Sequence, residues 1–183
     1  MVGTLDWLPA TSHPELLAAP VAAALKQLDD EAAASVRVAA IDPSLADTAA
    51  FCETYQVGAD VSANCVVVAA KRGGERWLAA CVVLATTRAD VNGLVRRQLD
   101  ARKVSFAPMD VAVAETDMQY GGITPLGLPP TWSLLVDAAV AATPEVVVGS
   151  GLRDSKLLLP GALLTHLPGA ITLRSLGVPG SRP

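Results

Sequence analysis

The stretch Tyr120-Gly121-Gly122-Ile123-Thr124-Pro125-Leu126-Gly127 sets two adjacent glycines, a hydroxyl and a proline into an otherwise apolar sequence. Gly121 and Gly122 tolerate positive φ and let another chain or a ligand approach the backbone closely. Pro125 fixes its own φ and biases Thr124 toward an extended conformation. A rigid loop of this kind exposes backbone N–H groups that can hold a carbonyl or an oxyanion, with Gly121, Gly122 and Ile123 as the candidate donors. The same spacing also fits a tight helix-to-strand connection, because glycine and proline punctuate loops generally. A second backbone-exposing turn, Gly149-Ser150-Gly151, adds Gly151 as a possible contributor.

Other chemistries find few residues to work with. Cys52, Cys65 and Cys81 are odd in number and lack metal or redox spacing, so buried free thiols are expected. His13 and His166 are too few and too far apart for a zinc site, and no Ser-His-Asp or Cys-His set is evident. No cofactor is implied. Net charge is −4, which argues against general nucleic-acid binding, but the charge is unevenly placed. Lys71, Arg72, Arg76, Arg88, Arg96, Arg97, Arg102 and Lys103 face only Glu75, Asp90 and Asp100 within residues 71–103. That segment carries +5 and the remainder −9. It is either a phosphate-binding patch or an ordinary solvated face.

These groups must be positioned by a single domain. The chain of 183 residues is 51% hydrophobic and 17% charged, which is globular in character, with aromatics at only 4%. The longest stretch free of charge and histidine, residues 118–136, is broken by glycine and proline, so no transmembrane helix is expected. The N-terminal residues lack a signal-peptide pattern, and a cytoplasmic protein is expected. Ser12, Pro14 and Glu15 predict a helix start, with helix continuing to about residue 34 and kinked at Pro20. Residues 36–41 read as a strand, and Asp42-Pro43 opens a helix ending near Gly58. Two apolar runs, 65–70 and 77–85, flank Lys71-Arg72-Gly73-Gly74-Glu75 and predict a β-hairpin. Thr87 and Asp90 have capping-box spacing ahead of a helix through Leu99 that is expected to carry Arg88, Arg96 and Arg97. A strand at 104–106, a helix at 108–118, and strands at 133–136, 145–148, 157–159 and 171–173 follow, with a short helix starting at Pro160-Gly161. Residues 177–183 read as a frayed tail. The result is an α/β chain of α+β type, with helices around a mixed sheet.

The GGITPLG loop, the Val146-Val147-Val148-Gly149-Ser150-Gly151 strand and turn, and the order of elements between them resemble the YbaK and prolyl-tRNA synthetase-associated editing-domain family. The resemblance spans residues 47–176, with residues 1–46 as an N-terminal extension. It implies a YbaK-like fold that hydrolyses mischarged aminoacyl-tRNA, with residues 121–125 matching the family's Gly-x-x-x-Pro motif. The family lysine, early in the first hairpin strand, corresponds to Asn64 here, and Lys156 stands where many members carry an acid. The resemblance therefore suggests a lysine moved to the opposite pocket wall. A surface Lys156 and a strand-capping Asn64 fit the sequence as well.

The implied activity is that of a free-standing aminoacyl-tRNA deacylase. Its water would be assisted by substrate groups, and Gly121, Gly122, Thr124, Asn64 and Lys156 would form the reacting site. Val66, Met118, Tyr120, Ile123, Pro125, Ser150 and Gly151 would surround the aminoacyl group. Arg88, Arg96, Arg97 and Lys103 would hold the acceptor stem. Aminoacyl-tRNA is the implied partner, with a synthetase as a candidate second one. The alternative is a non-catalytic module binding a tRNA end, a nucleotide or another small ligand, which the loss of the lysine at Asn64 favours.

Overall fold

In the computed structural model, which describes residues 2–180, the apolar runs form strands whose two faces are both covered. The elements in chain order are β1 (Leu8–Pro9), α1 (Ala19–Leu25), α2 (Asp30–Ala34), β2 (Arg37–Ala40), α3 (Thr48–Tyr55), β3 (Ala63–Arg72) and β4 (Glu75–Leu84). Then come β5 (Thr87–Ala89), α4 (Arg96–Gln98), β6 (Lys103–Phe106), α5 (Met109–Thr116), β7 (Ser133–Asp137) and α6 (Ala138–Ala141). The chain closes with β8 (Val146–Gly149), β9 (Ser155–Leu159), β10 (Ala170–Leu173) and β11 (Gly177–Pro179).

The expected mixed sheet is present, in the order β10-β7-β4-β3-β6, with β10, β7 and β4 mutually parallel and β4, β3 and β6 antiparallel. Successive residues of β3 and β4 enter different cores, as strand alternation requires. Val67, Ala80 and Val82 belong to one, and Val68, Ala79 and Cys81 to the other. Burial on both faces explains why these strands read as unbroken apolar runs. A second, antiparallel sheet that the sequence did not announce runs β1-β2-β9-β8. The two sheets meet where Ser62 and Val147 form a parallel bridge, with Val147 N–H donating to Val61 O at 2.8 Å.

Several local expectations are corrected. The long N-terminal helix is replaced by short 3-10 turns followed by α1 and α2. Pro20 lies in the first turn of α1, where its missing N–H costs nothing, so it starts a helix instead of kinking one. Ser12 ends a 3-10 turn and makes no cap; Asp29 caps α2 by accepting from Ala32 N–H at 2.8 Å. The helix predicted from Asp42 divides because two carboxylates compete for the backbone. Asp42 accepts from Ser44 N–H and Asp47 from Ala49 N–H, so α3 begins only at Thr48 and ends in left-handed Gln56, ahead of Gly58. Thr87 is not a helix cap but a strand residue whose hydroxyl donates to Leu84 O. Asp90 caps the following turn by accepting from Gly93 and Leu94 N–H. Residues 177–179 of the expected tail pair with β5 instead of fraying, while 181–183 lie outside the described residues.

Candidate functional site

The two glycine turns form one unit. Gln119 N–H donates to Gly151 O at 2.8 Å, and Gly151 N–H donates to Gly122 O at 2.8 Å. Gly122 N–H donates to Gln119 O at 2.9 Å and closes the turn, with Gly121 at φ +83°. Gly149 packs so tightly here that a methyl on its Cα would overlap the carbonyl of Gly122. Ser150 fixes the second turn from inside, with its Oγ 2.7 Å from Ser155 Oγ. Two expected donors are therefore corrected: the N–H groups of Gly122 and Gly151 are already spent on carbonyls. Gly121 N–H and Ile123 N–H meet no protein acceptor among the described residues, and both residues line a cavity.

That cavity, about 600 Å³, lies at the junction of the two sheets, between β3, α3, β8, β9 and the glycine loop. Lys156 enters it from β9, where it pairs in register with Gly149 of β8. Its side chain is buried, with the residue only 8% exposed. Nζ donates to Ala46 O at 3.1 Å and stands 5.3 Å from the centre of the Phe51 ring. An ammonium has three protons, so the Ala46 bond leaves donor capacity free. Burial pushes the Lys156 pKa down, Arg153 adds to that shift, and Cys52 and Asp47 oppose it.

Asn64 lines the same cavity from β3. Its Oδ1 accepts from Thr48 Oγ1 at 2.6 Å, which leaves the amide nitrogen as the side chain's free donor. Arg153 also lines the cavity and braces the loop, donating from its guanidinium to Tyr120 O at 3.0 Å and Pro43 O at 3.1 Å. Cys65 is in the lining too, but burial drives its thiol far above the ordinary range, which removes the thiolate needed for nucleophilic attack.

Six sequence-predicted site residues thus share one cavity: Asn64, Val66, Tyr120, Gly121, Ile123 and Lys156. Gly122, Thr124, Pro125, Met118, Ser150 and Gly151 do not line it. Met118 and Thr124 are buried, and Thr124 Oγ1 has no hydrogen-bond partner among the described residues. The basic segment is also divided. Lys103 joins Lys71, Arg72, Arg76 and Arg102 in a separate basin of about 680 Å³ at the hairpin tip. Arg88 on β5 and Arg96 and Arg97 on α4 are exposed and line neither space. Sequence reading missed Thr48, Phe51 and Arg153, whose partners lie far away in the chain, and Phe106 and Met109 at the mouth. Among the described residues, no three His, Cys, Asp or Glu side chains converge as a metal site, and no helix is long and apolar enough to cross a membrane.

The model of the aminoacyl-tRNA editing domain family matches residues 42–167, and the chain belongs to that family. The fold agrees. A proposed trans-editing enzyme for prolyl tRNA synthetase superposes with a TM-score of 0.71 at 18% identity, over 86% of this chain and 94% of its own. Hypothetical protein APE2540 gives 0.71 at 19% identity, over 85% and 99%. The molecule thus has the YbaK-like editing fold. A search of the curated proteins finds no match.

Proposed function

We propose that this chain is a free-standing deacylase that hydrolyses the ester of a mischarged tRNA. One observation carries the reading: Lys156, Asn64 and the unspent N–H groups of Gly121 and Ile123 belong to residues of one cavity. Water attacks the ester carbonyl, the bond to the ribose oxygen breaks, and that oxygen takes the proton, releasing the amino acid and an intact RNA end. Gly121 and Ile123 supply donors for the developing oxyanion, each worth about 2.7–4 kcal/mol when preorganised. Lys156 and the Asn64 amide orient the aminoacyl group. A neighbouring ribose hydroxyl assists the water, in keeping with a lining whose one thiol is held protonated.

Val66, Ile123 and Phe51 give the cavity apolar walls suited to sorting amino acids by size. A single methylene is worth only about 1–3 kcal/mol, so a second hydrolytic pocket adds selectivity that one synthetase pocket lacks. The reading implies work in the cytoplasm beside a synthetase that produces the error. Asn64 favours one alternative, a non-catalytic tRNA-end or nucleotide binder, because an amide brings no charge to the family lysine's position. A deacylation assay against a panel of mischarged tRNAs decides between them. Hydrolysis of at least one member is expected; none at enzyme concentrations near the substrate's would sink the enzyme reading.

A further inference from the structure

The two free donors of the glycine loop are supported in the same way. A peptide unit is planar and trans, so its N–H and its C=O point in opposite directions and turn together. The N–H of Gly121 belongs to the unit whose oxygen is Tyr120 O, and the N–H of Ile123 to the unit whose oxygen is Gly122 O. Both oxygens are held by the turn between β8 and β9. Gly122 O accepts from Gly151 N–H at 2.8 Å, and Tyr120 O accepts from the Arg153 guanidinium at 3.0 Å. The unit between them directs its N–H, that of Gly122, onto Gln119 O at 2.9 Å. Each loop N–H that meets no protein acceptor among the described residues is thus the far end of a unit anchored at its oxygen.

The two anchors differ in kind. Main chain holds the Ile123 unit, whereas the Gly121 unit depends on one side chain. Arg153 is itself fixed, because its own N–H donates to Gln119 Oε1 at 2.8 Å and its guanidinium also donates to Pro43 O at 3.1 Å. Nη1 serves Tyr120 and Nη2 serves Pro43, a two-pronged hold that a planar guanidinium allows and a single ammonium does not. Gly121 leaves room for it, since a Cβ there would stand 2.7 Å from Arg153 Nη1. A hydrogen bond from a charged donor is stronger than a neutral one, and linked hydrogen bonds polarise one another. A cation on Tyr120 O therefore also strengthens the Gly121 N–H as a donor.

We infer that Arg153 is a positioning residue that sets the direction and donor strength of the Gly121 N–H through the Tyr120 carbonyl, without touching the ester. The chemical purpose rests on the deacylase reading. The anchoring is a property of the free protein and can be measured without any substrate.

Backbone 15N relaxation of the free protein, paired with steady-state deacylation by Arg153→Met, provides the test. In the wild type the Gly121 amide should be rigid, with an order parameter of about 0.85; in Arg153→Met it should fall below about 0.6 while Ile123 stays near 0.85. The expected loss in kcat is about 10–100-fold, because a misplacement of about 1 Å suffices for 10²-fold, with KM within about twofold of wild type. Arg153→Lys keeps the charge but reaches one carbonyl, so it should recover part of kcat; it gives the same readings if Arg153→Met fails to fold. A Gly121 amide as rigid as wild type, or an unchanged kcat, overturns the inference. So does a raised KM at constant kcat, the mark of a direct contact with substrate. If the wild type hydrolyses no mischarged tRNA while Gly121 loosens in Arg153→Met, the deacylase reading falls and the anchoring stands. Hydrolysis with a Gly121 amide indifferent to Arg153 would do the reverse.

Discussion

Thr48 Oγ1 donates to Asn64 Oδ1 at 2.6 Å, and this bond sets which end of the Asn64 amide is free toward the cavity. With the oxygen held by the first residue of α3, the amide nitrogen is left as donor. Asn64 thus presents an oriented hydrogen-bonding group to the cavity. Thr48→Val removes the tether, and the expected loss in kcat/KM is about 2–10-fold, the worth of one ordinary hydrogen bond. Thr48→Ser should recover most of it. Equal rates for Thr48→Val and wild type would show that the amide needs no such orientation.

Lys156 separates activity from stability. Lys156→Met is expected to lower kcat/KM by about 10–100-fold, the range for losing one charged hydrogen bond that orients the aminoacyl group. Its effect on stability should have the opposite sign. Burial holds the folded-state pKa below 10.5, so the unfolded chain binds more protons between that lowered value and 10.5, and wild-type stability rises with pH across the window. Below the window the cost of the buried charge is present in full. Lys156→Met lacks that cost, so its Tm should match or exceed wild type near neutral pH, with the difference narrowing toward pH 10.5. A Tm gap independent of pH would contradict the buried charge.

The cysteines should be spectators. Burial pushes Cys81 up to about 12 and Cys65 higher still, and it also raises Cys52. Iodoacetamide at pH 7 should leave deacylation unchanged while modifying the denatured chain readily. Loss of activity in step with modification of Cys65 would replace the water mechanism with a covalent one.

Gly149→Ala tests the packing between the two turns. The added methyl would overlap the Gly122 carbonyl and crowd that of Ile123, so the loop must shift. A stability loss of about 1–3 kcal/mol is expected, together with reduced kcat, because the Ile123 N–H shares a rigid peptide plane with the Gly122 carbonyl and moves with it. Thermal unfolding and steady-state kinetics read the two effects separately, and an unchanged kcat would free the loop from any catalytic role.

Much of the site's raw material was legible in the sequence, because short-range rules govern it. The β3–β4 hairpin was marked by two apolar runs around Gly73-Gly74, and the glycine loop by spacing alone. Pairing between distant segments left no such mark. That Gln119 meets Gly151, or that Arg153 reaches Pro43, depends on how two sheets come together, and no local propensity encodes it. The same gap explains the donor assignments. Sequence could say which N–H groups a glycine loop exposes, but not that Gly122 and Gly151 would spend theirs on carbonyls. The pairing of Gly177–Pro179 with β5 was hidden for the same reason, since a glycine- and proline-rich end reads as loose chain until a partner strand is known.

The Ser62–Val147 bridge places a joint beside the cavity, with both of its residues in the lining. The width of the space is therefore governed by the angle at which the two sheets meet, as well as by the bulk of the side chains that face it. Substitutions remote from the walls, in the packing behind either sheet, can widen or narrow the aperture. The shape offered to a ligand can thus change through this joint while every residue lining the cavity stays the same.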